Sequence, residues 1–231
     1  MDIYKKTIGY LTVFQWSEIL VVVSFTIYFA FIDTKNPLWY MFFSSVASIC
    51  GIFCVVLCAS GKKSQYYWGF ANIVAYVIVS WTARYYGEVM LNAFYYLPTQ
   101  FMGMYVWNKN YNNDTKTVQC KKMTVGVTIA FLAISLLGIW LYRLFLVFLG
   151  GKATWLDSMS TTFSLFANIL MVLRYREQWV LWIIVDGVTI IMWVMAGDWI
   201  MTTMWSVYLI NAFYGLYMWT KLNKFQGDGG R

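Results

Sequence analysis

One carboxylate, Asp186, stands well inside a long apolar run, four residues after Trp182. That spacing puts indole and carboxylate on one face of a helix. An earlier apolar run carries Trp68 and Asn72 in the same arrangement, 114 positions upstream. Gln100 and Asn211 add amides, each able to donate and to accept, and Tyr76, Tyr95, Tyr208 and Tyr214 add hydroxyls and ring faces. Polar groups in such runs are costly and usually face a cavity or another helix. Aromatic planes beside amides and a carboxylate suit a flat, cationic heterocycle bearing hydroxyls. Stacking and cation–π attraction hold the ring, and the amides read the polyol. Packing is the competing account, because 13 Trp, 18 Tyr and 17 Phe must mostly serve interface belts and helix contacts. The candidate substrate-binding set is Trp68, Asn72, Tyr76, Gln100, Trp182, Asp186, Asn211 and Tyr214.

Other chemistry is poorly supplied. The chain has no histidine, so the commonest metal ligand and proton carrier is missing, and neither a metal site nor a cofactor is expected. Cys50, Cys54 and Cys58 follow one helix face and read as small packing residues, with Cys120 in a polar loop. An intramembrane enzyme would need a nucleophile–base set or a metal cluster. Glu177, beside Arg174 and Arg176, either caps a helix start, where the dipole favours a carboxylate, or forms a gating ion pair with them. Glu18 and Asp157 read as helix caps, and Pro98 as a kink that sets one half apart from the other.

These residues ride on membrane-length elements. Of 231 residues, 61% are hydrophobic and only 12% charged, which places the chain among polytopic membrane proteins. Eight apolar segments emerge, near 16–32, 38–59, 66–83, 89–107, 124–149, 155–173, 179–196 and 199–219. The N-terminal run reads as a retained helix. Lysine and arginine sort to one side of the eight crossings. Thirteen fall with the two termini, the second connection, the 108–123 loop and the sixth connection. Lys35, Arg84 and Lys152 fall opposite, and Arg143 lies within a segment. Cytoplasmic termini follow from the positive-inside rule. The net charge of +7 is then topology and not a nucleic-acid site.

The stretch 96–109 returns at 208–221, with seven of fourteen positions identical, including Tyr96/Tyr208, Gly103/Gly215, Trp107/Trp219 and Lys109/Lys221. Each copy ends in Tyr, Trp and Lys, the order expected at a membrane interface. The halves form two parallel three-helix repeats, residues 38–109 and 154–221, joined by a loop and linker helix at 110–153. An extra N-terminal helix occupies 1–37, and an irregular tail 222–231. The Trp68/Trp182 offset of 114 against 112 for the last helices places two extra residues in a loop of the first half.

Leu97-Pro98-x-Gln100-x-x-Gly103-x-x-x-Trp107, preceded by Gly87-Glu88-x-x-Leu91-Asn92, resembles the first-half signature of the PnuC vitamin transporters. Glu177-x-Trp179-x-x-Trp182, with Tyr208 and Gly215-x-x-x-Trp219, resembles the second. The resemblance implies an all-α integral membrane protein of the bacterial inner membrane with a SWEET-like 3+1+3 arrangement. It implies uptake of nicotinamide riboside by facilitated diffusion, with thiamine or another nucleoside-like vitamin as the alternative. A cytoplasmic kinase would trap the substrate, and a homo-oligomer is possible. A channel or receptor is the rival class.

Overall fold

The computed structural model describes residues 11–148 and 154–228, except the side chains of Tyr86, Gly87, Leu146, Thr154, Leu156, Asp157, Gly227 and Asp228. Lys5, Lys6, Lys152, Arg231 and the Asp157 side chain therefore lie outside the described residues.

Apolar runs of this length satisfy their backbone internally only as helices. Eight long helices result among the described residues: α1 (Val13–Ile32), α2 (Leu38–Ala59), α3 (Gln65–Thr82), α4 (86–109), α5 (Val125–Phe148), α6 (Thr154–Val172), α7 (Gln178–Ala196) and α8 (Trp199–Asp228). Val13–Ile32, Leu38–Ala59, Val125–Phe145 and Gln178–Ala196 are by length and composition able to cross a membrane. The two-stranded antiparallel ribbon β1 (Tyr111–Asn112) and β2 (Thr117–Val118) follows α4.

Three details differ from expectation. α1 starts at Val13, where Thr12 and Gln15 form a capping box. Glu18 is thus six residues into the helix, 4% exposed and without a hydrogen-bond partner on either oxygen, and caps nothing. α4 does not simply kink at Pro98. It changes to a π-helix over Leu91–Tyr96 and resumes as α-helix over Leu97–Lys109. α8 runs on to Asp228 instead of giving way to an irregular tail, because the Gln226 amide accepts from Cys120 N–H (2.8 Å) and donates to the Val118 carbonyl (3.1 Å).

The turns recur at a spacing of 113, not 114. α2 and α6 end at Ala59 and Val172, and α3 and α7 begin at Gln65 and Gln178. Gly61 and Arg174, also 113 apart, both take left-handed backbone at φ 65° and 67°. Both receive a strand-like bond from the long loop: Val118 N–H to the Gly61 carbonyl, Lys121 N–H to the Arg174 carbonyl. Glycine adopts this conformation freely, whereas arginine does so at a cost of about 1–3 kcal/mol.

Small residues then let helices close up. A Cβ on Gly103 would meet the Tyr66 ring at 2.4–2.6 Å, and one on Gly215 the Trp179 indole at 2.6–2.7 Å. Tyr66 and Trp179 are again 113 apart. Gly215→Ala should therefore destabilise the protein by about 1–3 kcal/mol through overpacking, although alanine is the better helix former. Thermal unfolding in detergent measures this, and an unchanged midpoint would contradict the close approach.

Candidate functional site

A cavity opens at the centre of the bundle, walled by α2, α3, α4, α6, α7 and α8; its space, counted out to its open side, is about 980 Å3. Neither α1 nor α5 contributes a described residue to it. The wall carries the 113 spacing. Gly69, Asn72, Ile73 and Tyr76 of α3 have as counterparts Trp182, Val185, Asp186 and Thr189 of α7. Gly51 and Val55 of α2 answer to Ser164 and Asn168 of α6. The backbone is matched and the chemistry is not.

Six of the eight candidate residues meet at this wall: Asn72, Tyr76, Gln100, Trp182, Asp186 and Asn211. Asp186 is 3% exposed. Asn72 donates to the Ala47 carbonyl (2.7 Å) and Asn211 to the Val55 carbonyl (3.2 Å), so α2 holds both amides. The Asn211 and Gln100 carbonyl oxygens and the Asn168 Oδ1 remain buried without a partner, as do the Trp179 indole N–H group and the Tyr208 hydroxyl. Buried polar atoms are normally satisfied. These orphans share one wall and leave donors and acceptors facing the cavity. Tyr76, by contrast, accepts from the Trp193 indole (3.0 Å).

Trp68 and Tyr214 are elsewhere. Trp68 is 37% exposed and stacks on Phe53 with centroids 4.5 Å apart. It corresponds to Leu181, not to Trp182, and one residue of slip turns a helix by about 100°. Tyr214 packs on α1, sharing a 3.0 Å hydrogen bond with Thr12 and ring contact with Phe14. In exchange the wall gains Glu88, Asn92, Tyr96, Ser164, Asn168 and Thr189. Asp186 is thus not the only carboxylate among the helices. Glu88 and Asn92 stand 12 and 8 residues before Gln100, a regular spacing visible in the sequence once the fourth segment is started at residue 86. Asn168 has only its equivalence to Val55 to announce it. Cys54 and Cys58 are also wall residues, so their shared face has a cavity side.

Bonds link the two halves at both ends. At the basic end, the Trp107 indole donates to the Met171 carbonyl (3.0 Å) and the Trp219 indole to the Cys58 carbonyl (3.1 Å). At the other, Tyr40 donates to Asp198 Oδ2 (2.6 Å) and Tyr85 to the Met192 carbonyl (2.8 Å). Glu177 stands at the N-cap of α7 but makes no cap bond. Its carboxylate takes Arg176 Nε (3.0 Å) and Met123 N–H (3.2 Å), while Arg174 donates to the Gln119 carbonyl (3.3 Å). All three residues fasten the 110–123 loop. Cys120 belongs to that loop, and its burial pushes the thiol up to about 12.

Membrane-length helices closed around an aromatic and amide-lined cavity define a multi-pass membrane transporter. The family described as nicotinamide mononucleotide transporter matches residues 41–221. The chain is 39% identical to the nicotinamide riboside transporter PnuC of Neisseria mucosa, over 78% of this chain and 73% of that one. It is 38% identical to the protein of the same name from Haemophilus influenzae, over 78% and 79%. A crystal structure of the vitamin B3 transporter PnuC superposes with a TM-score of 0.81, 34% identity and 96% coverage of both chains. This chain belongs to the PnuC family.

The indole bonds and the displaced Trp68 give a paired expectation. Trp219→Phe keeps a ring and removes the donor, and should destabilise by about 1 kcal/mol. Trp68→Phe, on the half-exposed face, should stay within about 0.5 kcal/mol. Unfolding midpoints of the two variants decide it, and equal values would refute the assignment.

Proposed function

We propose that the protein takes up nicotinamide riboside by facilitated diffusion, with the substrate held in the central cavity. The observation that carries this is the composition of the wall. It combines indoles and phenols, orphaned amide oxygens and the carboxylates of Glu88 and Asp186, with no lysine or arginine among its described residues. A pyridinium ring finds aromatic faces and carboxylates there, and ribose hydroxyls find amides. A phosphorylated nucleotide finds no cation. Arg143, mid-helix in α5, lies over the Trp155 ring, 4.3 Å from its centroid, and off the wall.

The architecture in this reading is SWEET-like. Residues 38–109 and 154–221 form two parallel three-helix units, 110–153 joins them, and the first helix stands outside. The recurrence at 113 and the six-helix wall support it. Alternating access would release the Tyr40–Asp198 and Tyr85–Met192 bonds at one end, or the Trp107 and Trp219 bonds at the other, with Arg174, Arg176 and Glu177 acting on the basic-end gate through the 110–123 loop. The basic face is assigned to the cytoplasm of a bacterial inner membrane. The protein itself catalyses nothing in this reading; a cytoplasmic kinase retains the substrate, and the unit can assemble as a homo-oligomer.

Purified protein in liposomes should show saturable uptake and counterflow of nicotinamide riboside with no ion gradient, and no uptake of the mononucleotide. Non-saturating conductance would make it a channel, and preference for thiamine in parallel titrations would reassign the substrate. Trp182→Ala and Asn211→Ala should each weaken riboside binding by about 10-fold or more in protein that still folds. Wild-type affinity in both would remove the cavity as the binding site.

A further inference from the structure

α4 meets the cavity at every fourth residue, with Glu88, Asn92, Tyr96 and Gln100. In an uninterrupted α-helix these four do not share a face. Each residue turns by about 100°, so Glu88 and Gln100, twelve positions apart, would stand about 120° from each other. α8 has no such polar arm: Met201, the counterpart of Glu88 at the 113 spacing, is fully buried in the apolar core and off the wall, which α8 meets from Met204 onward.

In α4 a π-helical turn removes the 120° offset. Over Leu91–Tyr96 the chain makes wider turns, and Leu97 N–H reaches the Asn92 carbonyl five residues back. One extra residue is absorbed, which cancels about 100° of drift and leaves Glu88 and Gln100 about 20° apart. The insertion can be counted independently. Before the turn, matched bonds keep the 113 spacing: Val89 N–H to the Tyr85 carbonyl, and Thr202 N–H to the Asp198 carbonyl. After it, Trp107 and Trp219 are 112 apart, yet they bond Met171 and Cys58, which are 113 apart. Pro98 supplies a local cause, since it has no N–H and its ring crowds the carbonyl four residues earlier. α8 has Ile210 at that place. The Asn92 amide is itself fixed by a 2.8 Å bond to the Glu88 carbonyl.

We propose that this π-helical turn is a register device that brings Glu88 and Asn92 onto the same wall as Gln100, where they contact the substrate. They form a polar arm that the second half, with an unbroken helix, does not have. The proposal rests on the reading of the cavity as the substrate site.

Calorimetric titration of the full chain in detergent with nicotinamide riboside tests it. Glu88→Gln and Asn92→Leu keep the chain length, and each should weaken binding at least about tenfold. Deleting Ala93 removes the extra residue together with the π-helical turn; Glu88 and Gln100 then stand eleven residues apart, still about 20° from each other, and affinity should stay within about threefold of wild type. Wild-type affinity in both point variants overturns the proposal, whether or not the deletion folds. A folded deletion that weakens binding at least about tenfold does so as well. If Trp182→Ala and Asn211→Ala also bind as wild type, the cavity reading itself has failed; if those two weaken and the two α4 point variants do not, only the register device has.

Discussion

A helix that ends against other helices in an apolar medium leaves its last carbonyls short of donors, and each must find one. In this protein the answer is reciprocal. The second-last residues of α2 and α6, Cys58 and Met171, each accept an indole N–H from the last helix of the opposite half. Trp107 and Trp219 are fully buried in consequence. Because each half satisfies the other, neither set of helices is complete alone, and the cavity lies where the two must face each other. The glycines at 103 and 215, four residues before each tryptophan, set how closely that facing can be made.

The two halves share turn geometry, helix ends and wall positions, yet their wall residues differ at nearly every matched place. Ile73 answers Asp186, Val55 answers Asn168, and Asn72 answers Val185. A matched backbone would offer a ligand the same groups twice. Under the proposed function, an asymmetric molecule with a charged ring at one end and hydroxyls at the other would need different groups, and side-chain divergence on a kept frame supplies them.

Helix number and most boundaries were legible in the sequence, because apolar length leaves little choice inside a membrane. α2 was read to the residue. The site was legible only in part. Matching Trp68 to Trp182 by identity set the offset one residue too long, and that residue is a large fraction of a helical turn, so Trp68 was placed on the wall when it packs outside against Phe53. Tyr105 and Tyr217 are exposed as an interface belt requires, but the tryptophans two residues later are not. Composition cannot tell an indole that greets lipid headgroups from one that bonds a distant carbonyl. Glu88 fell one residue before the fourth segment as read, 89–107, and a π-helical turn has no compositional mark beyond the proline that follows it.

The backbone of the loop between α4 and α5 bonds to Gly61, which precedes it, and to the Arg174 backbone and the Asn223 and Gln226 side chains, which follow it by some fifty to a hundred residues. During synthesis this segment emerges long before those later partners exist. The Val118 amide can bond Gly61 at once, but the Cys120 amide must wait for Gln226 until the final helix has been made. The basic face therefore cannot be completed before the end of α8 arrives and adds its side chains to the loop.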